Sequence, residues 1–340
     1  MGATIALDAM GGDFAPANPV AGAVLAAREL GSRIILVGRQ EEIEKDLSRH
    51  GRRDPSISIV HASEAVAMNE APVMALRRKK DSSLRVAANL VQEGKADALV
   101  SAGNSGAVMA TAMYVLGTVA GVDRPALAAV VPNLRGVSVW LDVGANVDSK
   151  PQHILQWAVM AHIYARNILG IEAPRVGLLS IGEEAGKGND LVRETFKLLK
   201  ESGLNFIGNV EGHDIFNGNA DVIVCDGFTG NVSLKVIESA TETLIHFLKQ
   251  EFSRSWRTRL GYLLSRPAFR GFKKRVDYAE FGGVPLLGVR GATIISHGKS
   301  SPRAIRNAIR VAGEVVDHRV NQQIQDEIHK GAHGLQSVTA

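Results

Sequence analysis

Short, strand-like apolar runs alternate along the chain with segments whose apolar positions recur at helical spacing. "TIALDAM" precedes an Ala-rich stretch at 18–30, "RIILVG" precedes 41–50, and "SISIVHA" leads into 72–93. "ADALVSAG" is followed by 105–117. "RVGLLSIG" is followed by 188–202, "ADVIVCDG" by 231–250, and "GATIISHG" by 302–328. Runs that are apolar at every position predict strands buried on both faces. Strands alternating with helices predict an α/β fold, three-layered, with a mainly parallel sheet and helices on both sides. "ALAAVVP" and "VSVWLDVGAN" stand close together before a helix at 151–169. They predict an antiparallel hairpin, and so a seam between two lobes near 126–142. No repeat, low-complexity tract or linker interrupts the pattern, and 330–340 reads as a frayed tail.

The strand ends carry the candidate chemistry. Six of them are rich in Gly and small polar residues: "DAMGGD", "SAGNSG", "DVGAN", "SIGEEAGKGND", "DGFTGN" and "SHGKSS". Ligands of open α/β sheets bind beyond the carboxyl ends of the strands. Small residues let the backbone come close to a ligand, and a helix start offers N–H groups and partial positive charge to an anion. The turn Ser101, Gly103, Asn104, Ser105, Gly106 is the prime phosphate candidate, and Gly298 and Ser300 share its strand–turn–helix context. For each turn alone, a glycine needed for φ > 0 is the plainer reading.

No G-x-x-x-x-G-K-[ST] or G-x-G-x-x-G is present, which disfavours a dinucleotide enzyme. Asp8, Asp13, Asp142 and Asp226 fit N-caps and turns better than a metal site. No histidine pair has ligand spacing on a helix face, so neither a metal nor a cofactor is expected. Cys225 reads as a small buried hydrophobe, and no G-x-S-x-G elbow exists. These point to chemistry without a covalent enzyme intermediate. Lys187, between Gly186 and Gly188, is either a solvated loop lysine or a cation for phosphate or an oxyanion. Asn231 is either a capping residue or an amide that donates to substrate.

The 340 residues are 45% hydrophobic and 22% charged, as in ordinary globular proteins. One cysteine excludes an internal disulfide framework and fits a reducing cytoplasm. The N-terminus resembles neither a secretory signal nor a myristoylation site, and no apolar stretch is long enough for a membrane span. The net charge of +4 favours an anionic substrate, an acidic partner or a membrane surface.

Five motifs in order carry a specific resemblance: "IALDAMGGDFAP", "SAGNSGAVMA", "DVGANVD", "LLSIGEEAGKGN" and "VCDGFTGNVSLK". Over about 3–326 the chain resembles the bacterial acyl-ACP:phosphate acyltransferases, the PlsX family. The resemblance implies a fold related to phosphate acetyltransferases and isopropylmalate-type dehydrogenases, and a homodimer. It implies transfer of a long-chain acyl group from acyl-ACP to inorganic phosphate. The acyl phosphate would pass to an integral-membrane glycerol-3-phosphate acyltransferase. The family's catalytic lysine and asparagine match Lys187 and Asn231, although the loop before Lys187 reads Glu-Glu-Ala-Gly, and such loops vary.

A basic segment, 251–278, stands apart. It carries Arg254, Arg257, Arg259, Arg266, Arg270, Lys273, Lys274 and Arg275, with no acid between Glu251 and Asp277. Phe252, Trp256, Leu260 and Leu263/Leu264 recur at helical spacing, and Pro267 predicts a break into two short amphipathic helices. The plain reading is a helical pair packed on the core or on a dimer mate. The sharper ones are docking of acidic ACP and contact with an anionic membrane through Arg254, Trp256, Arg257, Arg259, Leu260, Leu264, Arg270, Lys273 and Lys274. The aromatics lie on an apolar face rather than between the charges, so nucleic acid is not expected. The expected location is the cytoplasm, reversibly at the inner face of the cytoplasmic membrane. Three rival readings are a CoA-dependent short-chain phosphate acyltransferase, an isopropylmalate-type dehydrogenase and a non-enzymatic membrane scaffold.

Overall fold

The structure, a computed structural model, describes residues 2–51, 54–276 and 282–336. The elements run β1 (Thr4–Asp8), α1 (Ala17–Leu30), β2 (Arg33–Gly38), α2 (Gln40–Ser48), β3 (Ile57–His61), α3 (Pro72–Arg78), α4 (Ser83–Gln92), β4 (Ala98–Ser101), α5 (Ser105–Val115), β5 (Ala126–Leu127), β6 (Ala129–Asn133) and β7 (Gly136–Leu141). They continue with α6 (Pro151–Ile168), β8 (Val176–Leu179), α7 (Asp190–Glu201), β9 (Phe206–Val210), α8 (Asp214–Asn217), β10 (Val222–Val224), α9 (Gly227–Ser253) and α10 (Trp256–Val276). β11 (Val284–Leu287), β12 (Ala292–Ile295), α11 (Pro302–Asp317) and α12 (Val320–Gln336) complete the chain.

The α/β class and the mainly parallel pairing are as the apolar runs predict, with the strands divided between two sheets. A seven-stranded sheet has the order β3-β2-β1-β4-β12-β11-β5, and a five-stranded sheet the order β6-β7-β10-β8-β9. The chain leaves the first sheet at β5 and enters the second at β6, which forms an antiparallel hairpin with β7. The strands are wholly buried where they are central: β4, β8, β10 and β12 have no exposed position. The Ala-rich α1 packs closely on α11, since a Cβ on Gly22 would fall 2.5 Å from Ile305. Trp140, Trp157 and Tyr164 are fully buried where α6 covers the second sheet.

Four boundaries differ from the periodicity. The stretch 72–93 is two helices, because Ser82 caps α4 through Arg85 N–H and the Asp81 carboxylate accepts from Ser63. The stretch 302–328 is also two, parted at Arg319, whose φ is +50°. The basic segment turns at Arg254–Ser255, and α10 runs through Pro267. The backbone is helical to Gln336 rather than frayed from 330. In addition, β11 escapes the alternation of strands with helices, because no helix separates it from β12, with which it pairs antiparallel.

The second sheet holds an ion pair that predicts its acid sensitivity. Arg175, just before β8, donates from Nε and Nη2 to Asp221, just before β10, both at 2.8 Å. Burial acts to raise the Asp221 carboxyl, but the Arg175 side chain and main-chain N–H outweigh it and hold the carboxyl below its usual range. A depressed native pKa contributes stability that is complete above the unfolded value near about 4 and is lost as pH falls through the native one. Asp221→Asn is therefore expected to cost about 2 kcal/mol near neutral pH. In urea titrations the gap to wild type should close as the solution is acidified. A gap that persists at low pH would assign the loss to something other than the ionised pair.

Candidate active site

The six Gly-rich turns fall into two sets of three, each at the carboxyl ends of neighbouring strands. The first set follows β1, β4 and β12. Its centre is Asp8, buried at the end of β1. One oxygen accepts from Met10 N–H at 3.2 Å and the other from Ser101 Oγ at 2.7 Å. Ser101 Oγ in turn accepts from Gly103 N–H at 3.0 Å. Burial pushes the Asp8 carboxyl up, against the pull of these bonds. A Cβ on Gly11 would lie 2.6 Å from Asp8 Oδ2 and 2.8 Å from Gly103 N, so only glycine fits between the two turns. The third turn joins them through Asp13 N–H, which donates to Gly298 O at 2.8 Å.

All seven phosphate candidates lie on this set. Ser101 is wholly buried and commits its hydroxyl proton to Asp8. Asn104 caps α5 by accepting from Ala107 N–H, while its amide holds the Met68 and Glu70 carbonyls at 2.9 Å. Ser105 and Gly106 form the first turn of α5, where main-chain N–H groups have no preceding helical carbonyl. A Cβ on Gly106 would meet Pro72, and one on Gly298 would meet Met68. Ser300 is buried, and its carbonyl accepts from Asn18 at 2.9 Å.

The second set follows β7, β10 and β8. Asp226 caps α9 by accepting from Thr229 N–H and Oγ1, and Asn189 caps α7 at Val192 N–H. Lys187 is exposed in the loop between β8 and α7, with its N–H on Glu184 O at 2.9 Å. Asn209 of β9 holds the same carbonyl at 2.9 Å. Asn231 is half-buried in the first turns of α9 and lies against Gly144, where a Cβ would stand 3.2 Å from it. Among the described residues neither the Lys187 ammonium nor the Asn231 amide has a protein partner. The structure thus sets Lys187 and Asn231 in the segments that follow the neighbouring strands β8 and β10, and puts the phosphate candidates on turns of the other sheet.

Cys225 lies in the core beneath this set. Its sulfur accepts from Trp140 Nε1 at 3.2 Å, and burial pushes the thiol well above the usual range, against a nucleophilic role. Ligand atoms of Glu183, His213 and Asp214 lie within 4.8 Å of one another. The Asp214 oxygens are already taken by Glu211 N–H, Asn217 and Asn219. Asp8 and Asp142 do more than close their own turns: each also accepts from another strand, Asp8 from Ser101 of β4 and Asp142 from Leu127 of β5.

The basic segment forms a helical hairpin. In α9 only Gly227 and Gly230 are buried. Phe252 turns into the hairpin, its ring tilted against Tyr262 at 5.4 Å and edge-to-face with Phe269 at 4.8 Å, so it does not share the face of Trp256. Arg254, Trp256, Arg257, Arg259, Leu260 and Leu264 are exposed, Trp256 and Leu264 by more than 70%. Arg257 lies over the Trp256 ring. Side chains of Arg270, Lys273 and Lys274 lie outside the described residues. No helix among the described residues is long and apolar enough to cross a membrane.

A family model described as fatty acid synthesis protein matches residues 3–323. The chain is 52% identical over 334 residues to a protein of Pelotomaculum thermopropionicum named phosphate acyltransferase, covering 97% of each. It is 53% identical to a phosphate acyltransferase of Geobacter sulfurreducens, covering 95% of this chain and 94% of that protein. A phosphotransacetylase from Streptococcus pyogenes shares the fold, with a TM-score of 0.64 at 19% identity over 93% of this chain and 94% of that one. The chain therefore belongs to the fatty acid synthesis protein family, a family of acyltransferases.

Proposed function

We propose that the protein moves a long-chain acyl group from acyl-ACP to inorganic phosphate, and that Lys187 and Asn231 are its catalytic residues. One observation carries the reading: a cation and an amide without protein partners stand at the Gly-rich ends of neighbouring strands. The turn at Ser101–Gly106, with the adjoining Gly298 and Ser300, holds the phosphate. Its small residues and the α5 start supply main-chain donors, each charge–dipole contact contributing about 0.3–1 kcal/mol. A phosphate oxygen attacks the thioester carbonyl, the new C–O bond forms, and the C–S bond breaks. The leaving thiol has a pKa of about 8.5, judged from cysteine, so it departs with little acid catalysis. What remains for the protein is positioning and oxyanion stabilisation, the roles of Lys187 and Asn231. The product, an acyl phosphate, serves phospholipid synthesis through a membrane glycerol-3-phosphate acyltransferase.

The α9–α10 hairpin supports the choice of ACP over free CoA. Its arginines suit an acidic protein, and its exposed Trp256, Leu260 and Leu264 suit an anionic membrane face or a second copy of the chain. Charge reading is screened with a Debye length of about 10 Å at 0.1 M salt. Neutralising Arg254, Arg257 and Arg259 is expected to raise KM for acyl-ACP and leave KM for phosphate alone. Trp256→Ser with Leu260→Ser is expected to release the protein from anionic liposomes. If neither assay responds, the hairpin serves only structure or dimerisation.

The donor is tested by offering acyl-ACP and acyl-CoA of equal chain length with phosphate. The expected result is faster acyl phosphate formation from acyl-ACP, with an advantage that shrinks as salt rises. Equal or faster use of short-chain acyl-CoA would favour the CoA-dependent reading instead.

A further inference from the structure

Asp142 lies at the end of β7, wholly buried, and its carboxylate collects five N–H groups. Oδ1 accepts from Leu127 N–H at 3.0 Å, Gly144 N–H at 3.2 Å and Ala145 N–H at 3.0 Å. Oδ2 accepts from Asn146 N–H at 2.7 Å and Asn146 Nδ2 at 2.9 Å. These bonds fill the roughly four lone-pair sites of a carboxylate; burial pushes the Asp142 carboxyl up, and the bonds from Ala145, Asn146 and Leu127 pull against it.

The donors lie on both sheets. Leu127 belongs to β5, the edge of the seven-stranded sheet. Gly144, Ala145 and Asn146 form the turn after β7 in the five-stranded sheet. Asn146 also reaches Pro125 O at 2.8 Å, and Val143 N–H donates to Leu127 O at 3.1 Å. One side chain thus ties a turn of the second sheet to an edge strand of the first.

The same turn sets the start of α9. Gly227 N–H donates to Asn146 O at 2.9 Å. A Cβ on Gly227 would fall 2.4 Å from Asn146 O, and one on Gly230 would fall 1.9 Å from Asp142 O. The helix start is pressed onto the Asp142 turn with no room for a methyl group. One residue on, Asn231 meets Gly144, the residue that Asp142 Oδ1 holds by its N–H.

We propose that Asp142 is a positioning residue: its carboxylate fixes the 143–146 turn across the seam and so holds the Asn231 amide in place at the start of α9. This rests on the reading of Asn231 as catalytic. An asparagine at 142 would keep the shape but replace one acceptor oxygen with an NH2 group facing N–H donors, so the turn must shift.

A double-mutant cycle tests it. Asp142→Asn is expected to lower kcat on the order of 10-fold, since sub-ångström misplacement of a reacting group is costly, with KM for phosphate within about twofold of wild type. In the Asn231→Ala background it should cost nothing further, because effects of residues acting as one unit do not multiply. Gly144→Ala covers the case in which Asp142→Asn fails to fold: it crowds Asn231 directly, leaves the carboxylate intact, and should behave the same way. Folding is checked by circular dichroism and Tm. A loss that multiplies with Asn231→Ala, or an unchanged kcat in the folded variants, overturns the positioning role alone. Normal turnover by Asn231→Ala itself sinks the catalytic reading and the positioning role with it.

Discussion

Lys187→Ala and Asn231→Ala should each lower kcat by about 10²–10³, the usual loss on removing one oxyanion donor, while Tm stays near that of wild type. The separation of rate from stability follows from the surroundings of the two side chains. Lys187 is exposed, and its loop is held by backbone bonds and by Asn209, not by its ammonium. Asn231 is half-buried, and its amide gives no hydrogen bond to a described residue. Truncating either removes a group aimed at solvent or substrate and opens no core cavity. Steady-state kinetics with thermal melts on both variants checks this. Near-wild-type turnover in one variant would remove that residue from the mechanism, and a large drop in Tm would reassign it to structure.

Gly11→Ala should lower kcat/KM for phosphate by about 100-fold, because misplacement by about 1 Å can cost that much. The added methyl would meet Asp8 Oδ2 at 2.6 Å and Gly103 N at 2.8 Å. Neither is a flexible side-chain end: Asp8 is buried and bonded to Ser101, and Gly103 is backbone. The β1 turn must therefore separate from the β4 turn, and the proposed phosphate seat opens. KM for the acyl donor should change far less. A folded Gly11→Ala protein with wild-type phosphate kinetics would place phosphate elsewhere.

The α/β class was legible because central strands such as "VGLL" and "VIV" carry no polar side chain and so must be covered on both faces. Which strands stand side by side in each sheet was not, since strand order rests on pairings between distant segments: β12 lies beside β4, nearly two hundred residues away in sequence. The Gly-rich strand ends were legible one by one. Which three stand together follows only from that strand order. Lys187 and Asn231 stood out by their glycine neighbours and by resemblance. Asp142 did not, because the local pattern "DVGAN" is that of any Asp-headed turn. Its bond to Leu127 and the pressure of Gly230 against it are tertiary facts. Pro267 misled in the opposite sense: α10 continues through it, and the turn comes earlier, at Ser255, where its hydroxyl bonds Thr258.

The central claim is direct attack of phosphate on a thioester, and its most direct measurement is single turnover of long-chain acyl-ACP with and without labelled phosphate. With phosphate, the predicted result is labelled acyl phosphate equal in amount to the ACP thiol released. Without phosphate, no thiol should appear, and the protein should keep its mass. A burst of thiol in the absence of phosphate, accompanied by an acylated protein, would contradict the account, as would thiol release with phosphate that yields no acyl phosphate.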